Sequence, residues 1–137
     1  MDKILGRFSD QAYALLRIVS GFLFSLHGAQ KLLGALGGHQ VDPLSKMGLA
    51  GAIELVGGIL ILIGLFTSWA AFLASGQMAV AYFTAHAPKG FWPVQNGGEL
   101  AALYCFLFLY LASKGNGPWS VGANRGRSRS SAPRKRS

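Results

Sequence analysis

Four apolar runs alternate with short stretches rich in glycine, proline and asparagine. They predict α-helices at about residues 12–34, 48–66, 68–85 and 99–113. In the first run Arg17, Ser20, Gly21, Phe24, His27, Gly28 and Lys31 recur at helical spacing and share one face. Leu15, Ile18, Val19, Leu26 and Leu33 fall on the other side. The second run places Glu54, Gly57, Gly58, Ile61 and Gly64 on one face, and its small residues permit close helix approach. The third carries a narrow stripe of Ala70, Ala74, Gln77, Ala81 and Thr84 before His86-Ala87-Pro88 stops it. Asn96-Gly97-Gly98-Glu99 opens the fourth, with Asn96 as the expected cap.

Helix length bears on the solvent. At 1.5 Å per residue the first run reaches about 34 Å, enough to cross a bilayer, whereas the fourth reaches only about 22 Å. A soluble helix of such length would carry a continuous polar face, and these runs lack one. The chain is 51% hydrophobic and 13% charged, against about 25% charged in a typical soluble protein. The expected fold is therefore all-α: an integral membrane four-helix bundle at residues 12–122. Residues 1–11 form an interfacial N-terminal segment that stays attached, since Arg17 interrupts the apolar run a signal peptide needs. Residues 123–137 read as a disordered basic tail.

The net charge of +8 belongs mostly to that tail. Residues 124–137 hold six of the thirteen Lys and Arg and no acid, which leaves seven bases and five acids elsewhere. With four spans both termini share a side. The bases there (Lys3, Arg7, Lys114 and the tail) place both termini in the cytoplasm, against Lys46 and Lys89 opposite. A basic segment just after a membrane helix suits anionic lipid better than nucleic acid, which is not an expected partner. A solvated tail that merely sets topology is the alternative.

Orientation then sets depth. His27, Gln30 and Lys31 lie in the outer part of the first helix, and Glu54 lies about 9 Å into the second. Gln77, His86, Asn96 and Glu99 complete a polar level drawn from all four helices. Arg17 alone sits near the inner face, where it can snorkel as a structural polar group. A charge at the bilayer centre costs roughly 3 kcal/mol on insertion scales, so the polar face of the first helix must meet other helices. Two readings follow. The groups form structural pairs, Glu54 neutralising Lys31 or His27, or they line a wet or ligand-filled pocket.

The residue types narrow the chemistry. His and Glu beside Gln and Lys suit proton exchange with a quinone or another small polar headgroup. His27, Glu54 and Lys31 are the catalytic candidates. Gln30, Gln77, His86, Trp92, Asn96 and Glu99 are the substrate-binding candidates. His27 and His86 differ in depth, which argues against haem, and no metal site is expected. Cys105 is the sole cysteine, so a dithiol or thiolate cluster within the chain is excluded. No phosphate-binding glycine motif precedes a helix.

Arg17, Gly21, Phe24, His27-Gly28, Gln30-Lys31-Leu32 and Gly34 are followed by Glu54, Gly57-Gly58 and Gly64-Leu65-Phe66-Thr67. Asn96-Gly97-Gly98-Glu99 and Gly117-Pro118-Trp119-Ser120 complete the set. In this order, over about residues 12–122, they resemble the DoxX family of small bacterial membrane proteins. The resemblance implies a four-helix protein of the inner membrane. It also implies relation to the membrane part of a thiosulfate:quinone oxidoreductase, and a link to oxidative stress. Gly122 stands where the family usually has an acid, so a role for that acid in ending the domain or docking a partner does not carry over.

The expected function is thus the membrane subunit of a quinone-linked oxidoreductase. Quinone would be the redox partner, with partner oxidoreductase subunits or a second copy of the chain alongside. The alternative is a non-catalytic membrane scaffold or a small-solute carrier.

Overall fold

The computed structural model describes residues 1–123, which form helices and turns with no strand. Of the disordered basic tail expected at residues 123–137, residues 124–137 lie outside the described residues, whereas the Ala123 amide donates to the Ser120 carbonyl at 3.3 Å. Four long helices follow one another: α1 at Asp2–Leu33, α2 at Lys46–Ile63, α3 at Thr67–Ala81 and α4 at Glu99–Lys114. α1 and α2 are long and apolar enough to cross a bilayer, at 32 and 18 residues. α3 and α4 are shorter, at 15 and 16 residues.

Local chemistry moves several ends from their expected positions. α1 begins at Asp2, because nothing breaks the helix between the lead-in and the apolar run, and only a tighter turn at Gly6–Phe8 marks the junction. α2 begins at Lys46, where the Ser45 hydroxyl accepts from the Gly48 amide at 3.0 Å. It ends at Ile63 because Gly64 turns left-handed at φ 71°. α3 runs through a wider π turn at Tyr82–His86 before it stops. Asn96 does not cap α4. Its side-chain oxygen accepts from the Gly98 amide at 2.8 Å, and its amide group donates to the Gly90 carbonyl at 2.9 Å, bracing the α3–α4 loop.

Close backbone contact joins α1 to α2. A Cβ at Gly58 would lie 2.5 Å from the Ser25 amide nitrogen, and one at Gly28 would lie 2.6 Å from the Gly51 carbonyl. Only glycine admits such approach. α3 packs along α4 through Ala70, Ala71 and Ala74 facing Phe108 and Leu111. An aromatic bridge closes α1 onto α4: Phe24 meets Phe108 at 4.7 Å and Tyr104 at 5.8 Å between ring centroids. Large apolar side chains on the outside of all four helices, among them Val19, Ile59, Phe72 and Phe106, remain exposed. A surface this apolar is suited to lipid rather than water.

Arg17 does not snorkel. It is fully buried, and its guanidinium donates to the carbonyls of Ile61, Leu62, Pro118 and Trp119 at 2.7–3.1 Å. Two of these belong to the last turn of α2, where carbonyls lack the usual i+4 amide and Ile61 has only the capping Gly64 amide at 3.2 Å. The other two belong to the segment after α4. That segment also pairs with the end of α2, through Val121 N to Ile63 O and Gly122 N to Gly64 O. The end of the described chain is thus docked without the acid that Gly122 replaces.

Candidate functional site

A cavity of about 760 Å³ opens between α1, α2, α3 and the start of α4. Its walls are mostly apolar, with Phe24, Met78, Ala101 and Tyr104 among them. Four of the candidate groups reach it from three helices: His27 and Lys31 from α1, Glu54 from α2 and Gln77 from α3. His86, at the end of the π turn, lines it as well.

Glu54 is the hub. It is 2% exposed. Its Oε1 accepts from Lys31 Nζ at 2.5 Å and from Gln77 Nε2 at 2.9 Å, so one carboxylate oxygen joins three helices. Glu54 Oε2 and Gln77 Oε1 are buried and have no hydrogen-bond partner among the described residues. Lys31 is partly exposed, so its charge stays near the cavity mouth. His27 stands one turn before Lys31 on the same wall, and its ring makes no hydrogen bond among the described residues. The His86 Nδ1 lies 3.2 Å from the Asn96 carbonyl. A carbonyl only accepts, so Nδ1 carries the hydrogen and Nε2 is the atom left for exchange.

Two π turns stand at the site. One, Ile53–Gly57, contains Glu54, and the other, Tyr82–His86, ends on His86. A π turn inserts one residue and re-aims the side chains that follow, which is why such turns recur at functional sites.

The remaining candidates stand elsewhere. Gln30 packs its stem against Gly38 in the α1–α2 loop. Trp92 is exposed and pairs edge-to-face with Phe91 at 5.1 Å. Asn96 is buried in the loop it braces. Glu99 faces outward beside a shallow groove with Pro93, Leu103 and Phe106. Tyr104 is a cavity wall not anticipated from the residues alone. Its signal is the spacing of Tyr104 and Phe108, which stack at 5.2 Å on the face of α4 that meets Phe24. No group of three or more His, Cys, Asp or Glu suited to a metal ion occurs among the described residues.

Comparison with known proteins bears on what this arrangement belongs to. The DoxX family model matches residues 12–87, which covers most of α1, all of α2 and α3, and the Glu54 hub. A Haemophilus influenzae protein described only as uncharacterized is 46% identical over 126 residues, spanning 82% of this chain and 90% of that protein. No solved structure matches the chain. The chain belongs to the DoxX family of membrane proteins.

Proposed function

We propose that the chain is the membrane subunit of a quinone-linked oxidoreductase, a multi-pass protein of the bacterial inner membrane with both termini in the cytoplasm. The observation that carries this reading is Glu54: a buried carboxylate, one oxygen of which has no partner among the described residues, set in an apolar-walled cavity with two histidines, Lys31 and Lys46. A cavity near 760 Å³ falls within the range of small-molecule sites, about 300–1,000 Å³, and such sites pair apolar walls with a few convergent polar groups. Phe24, Met78 and Tyr104 would hold a flat ring, and Glu54, Gln77 and Lys31 would orient its oxygens. A bound quinone supplies two-electron chemistry coupled to protons. The chain supplies proton-carrying groups: Glu54 in the interior, His27 and Lys31 toward the mouth, and His86 at the far rim. Electrons come from a partner subunit, since Cys105 alone cannot form a dithiol.

Orientation is supported by charge. Tyr13 donates its hydroxyl to the Gly115 carbonyl, so the beginning of α1 and the end of α4 share one end of the molecule. Lys3, Arg7 and Lys114 belong to that end, and the basic tail follows it. The positive-inside rule then places it in the cytoplasm and the Glu54 level in the outer half. Anionic lipid is the partner proposed for the tail.

The test is purification in mild detergent, with mass spectrometry of co-purifying quinones, lipids and proteins. Quinone-dependent dye reduction should be lost in His27→Ala while the melting temperature holds, and lost as well in Glu54→Gln, which also breaks the Lys31 pair and so lowers the melting temperature. A second reading, a non-catalytic scaffold or solute carrier, is favoured by the directness of the Lys31–Glu54 pair, which ties α1 to α2. Lowered melting temperature in both variants with unchanged redox activity would select it.

A further inference from the structure

Glu54 and Gln77 set each other's hydrogen-bonding sense. A carboxylate only accepts, so the Gln77 amide must turn its Nε2 toward Glu54 Oε1, where it stands at 2.9 Å. Lys31 uses the same oxygen. The two oxygens that remain, Glu54 Oε2 and Gln77 Oε1, are both buried, both without a hydrogen-bond partner among the described residues, and both acceptors. Buried acceptors are normally satisfied, and these two belong to residues that line the cavity.

We propose that the cavity selects the reduced, dihydroxy form of an aromatic headgroup over its oxidised dicarbonyl form. This rests on the quinone reading above and deepens it. A hydroxyl donates, so a reduced head satisfies Glu54 Oε2 or Gln77 Oε1 with an O–H once a small side-chain rotation turns that oxygen, which has almost no accessible surface, into the cavity. A carbonyl only accepts, so the oxidised head brings lone pairs against lone pairs at the same place and leaves both protein oxygens unsatisfied. Lys31 does not cancel this preference. Its spare N–H groups sit at the partly exposed mouth, where the exposed Lys46 also lines the cavity, and these donors serve either form, because a hydroxyl oxygen also accepts. Discrimination therefore resides in the two inner oxygens.

The test is anaerobic equilibrium dialysis of the full chain in detergent against decylubiquinol and decylubiquinone. The quinol is expected to bind about tenfold more tightly, which corresponds to a rise of about 30 mV in the potential of the bound couple. Gln77→Leu removes one of the two inner acceptors and leaves the Lys31–Glu54 pair in place. It should bring the preference toward parity, with decylubiquinol losing more affinity than decylubiquinone. If that variant fails to fold, Gln77→Met, closer in shape, makes the same measurement. Equal affinity for the two forms, tighter quinone, or an unchanged ratio in the variant overturns the preference and leaves the quinone reading standing. Failure of both forms to bind overturns that reading and the preference with it.

Discussion

Lys31 and Glu54 meet at 2.5 Å, one turn beyond the place where Gly28 lets the backbones of α1 and α2 touch. The glycine contact and the ion pair are one arrangement. Close approach brings the α1 backbone against α2, and the lysine then reaches a carboxylate that is almost wholly buried.

Breaking this pair on one side should cost more than removing it. Lys31→Met leaves the Glu54 charge without its cation and is expected to destabilise the protein by about 3 kcal/mol, whereas Lys31→Met combined with Glu54→Leu should recover most of that. Unfolding in detergent, followed by circular dichroism, measures both. Equal loss in the single and double variants would show that the charge balance is not what matters.

Glycine positions on α2 should differ sharply. Gly58→Ala forces a methyl against the Ser25 backbone and is expected to cost roughly 2 kcal/mol or more, as overpacking of a tight contact does. A methyl at Gly57 would meet nothing within 4 Å beyond its own helix, so Gly57→Ala should stay within about 1 kcal/mol of the parent, since alanine favours helix. Melting temperatures of the two variants in one detergent decide the matter.

Arg17 should resist conservative replacement. Its guanidinium serves four carbonyls on two separate segments, and a lysine ammonium has neither the donors nor the fork to do so. Arg17→Lys is expected to destabilise by about 3 kcal/mol. Amide exchange should rise first at Val121 and Gly122, whose bonds to the end of α2 lie beside the clamp. Unaltered protection there would contradict this role.

Asn96 should affect the loop more than the cavity. Asn96→Ala loses bonds to the Gly90 carbonyl and the Gly98 amide and is expected to cost about 2 kcal/mol. Limited proteolysis should accelerate between residues 87 and 98, while the Lys31–Glu54–Gln77 group is unaffected.

Much of this protein follows from the order of its residues alone. The apolar runs dictate helices, and helical periodicity puts Lys31 and Glu54 on inward faces at a common level, because a charge in a greasy helix must turn away from lipid. The motifs in α1 and α2 also identify the family. Other features required three dimensions. Gln30 and Gln77 are the same residue type at comparable depth, yet only Gln77 reaches Glu54, because contacts at Gly28, Gly51 and Gly58 fix the rotation of α1 against α2 and leave Gln30 against Gly38. Arg17 looks like a snorkelling base in one dimension. Its partners are main-chain carbonyls more than forty residues away in sequence, and a carbonyl has no signature in residue type. The π turns at Glu54 and His86 are similarly silent, since an extra residue in a helix changes aim without changing composition. Periodicity determines which faces turn inward. Packing alone decides which inward groups touch.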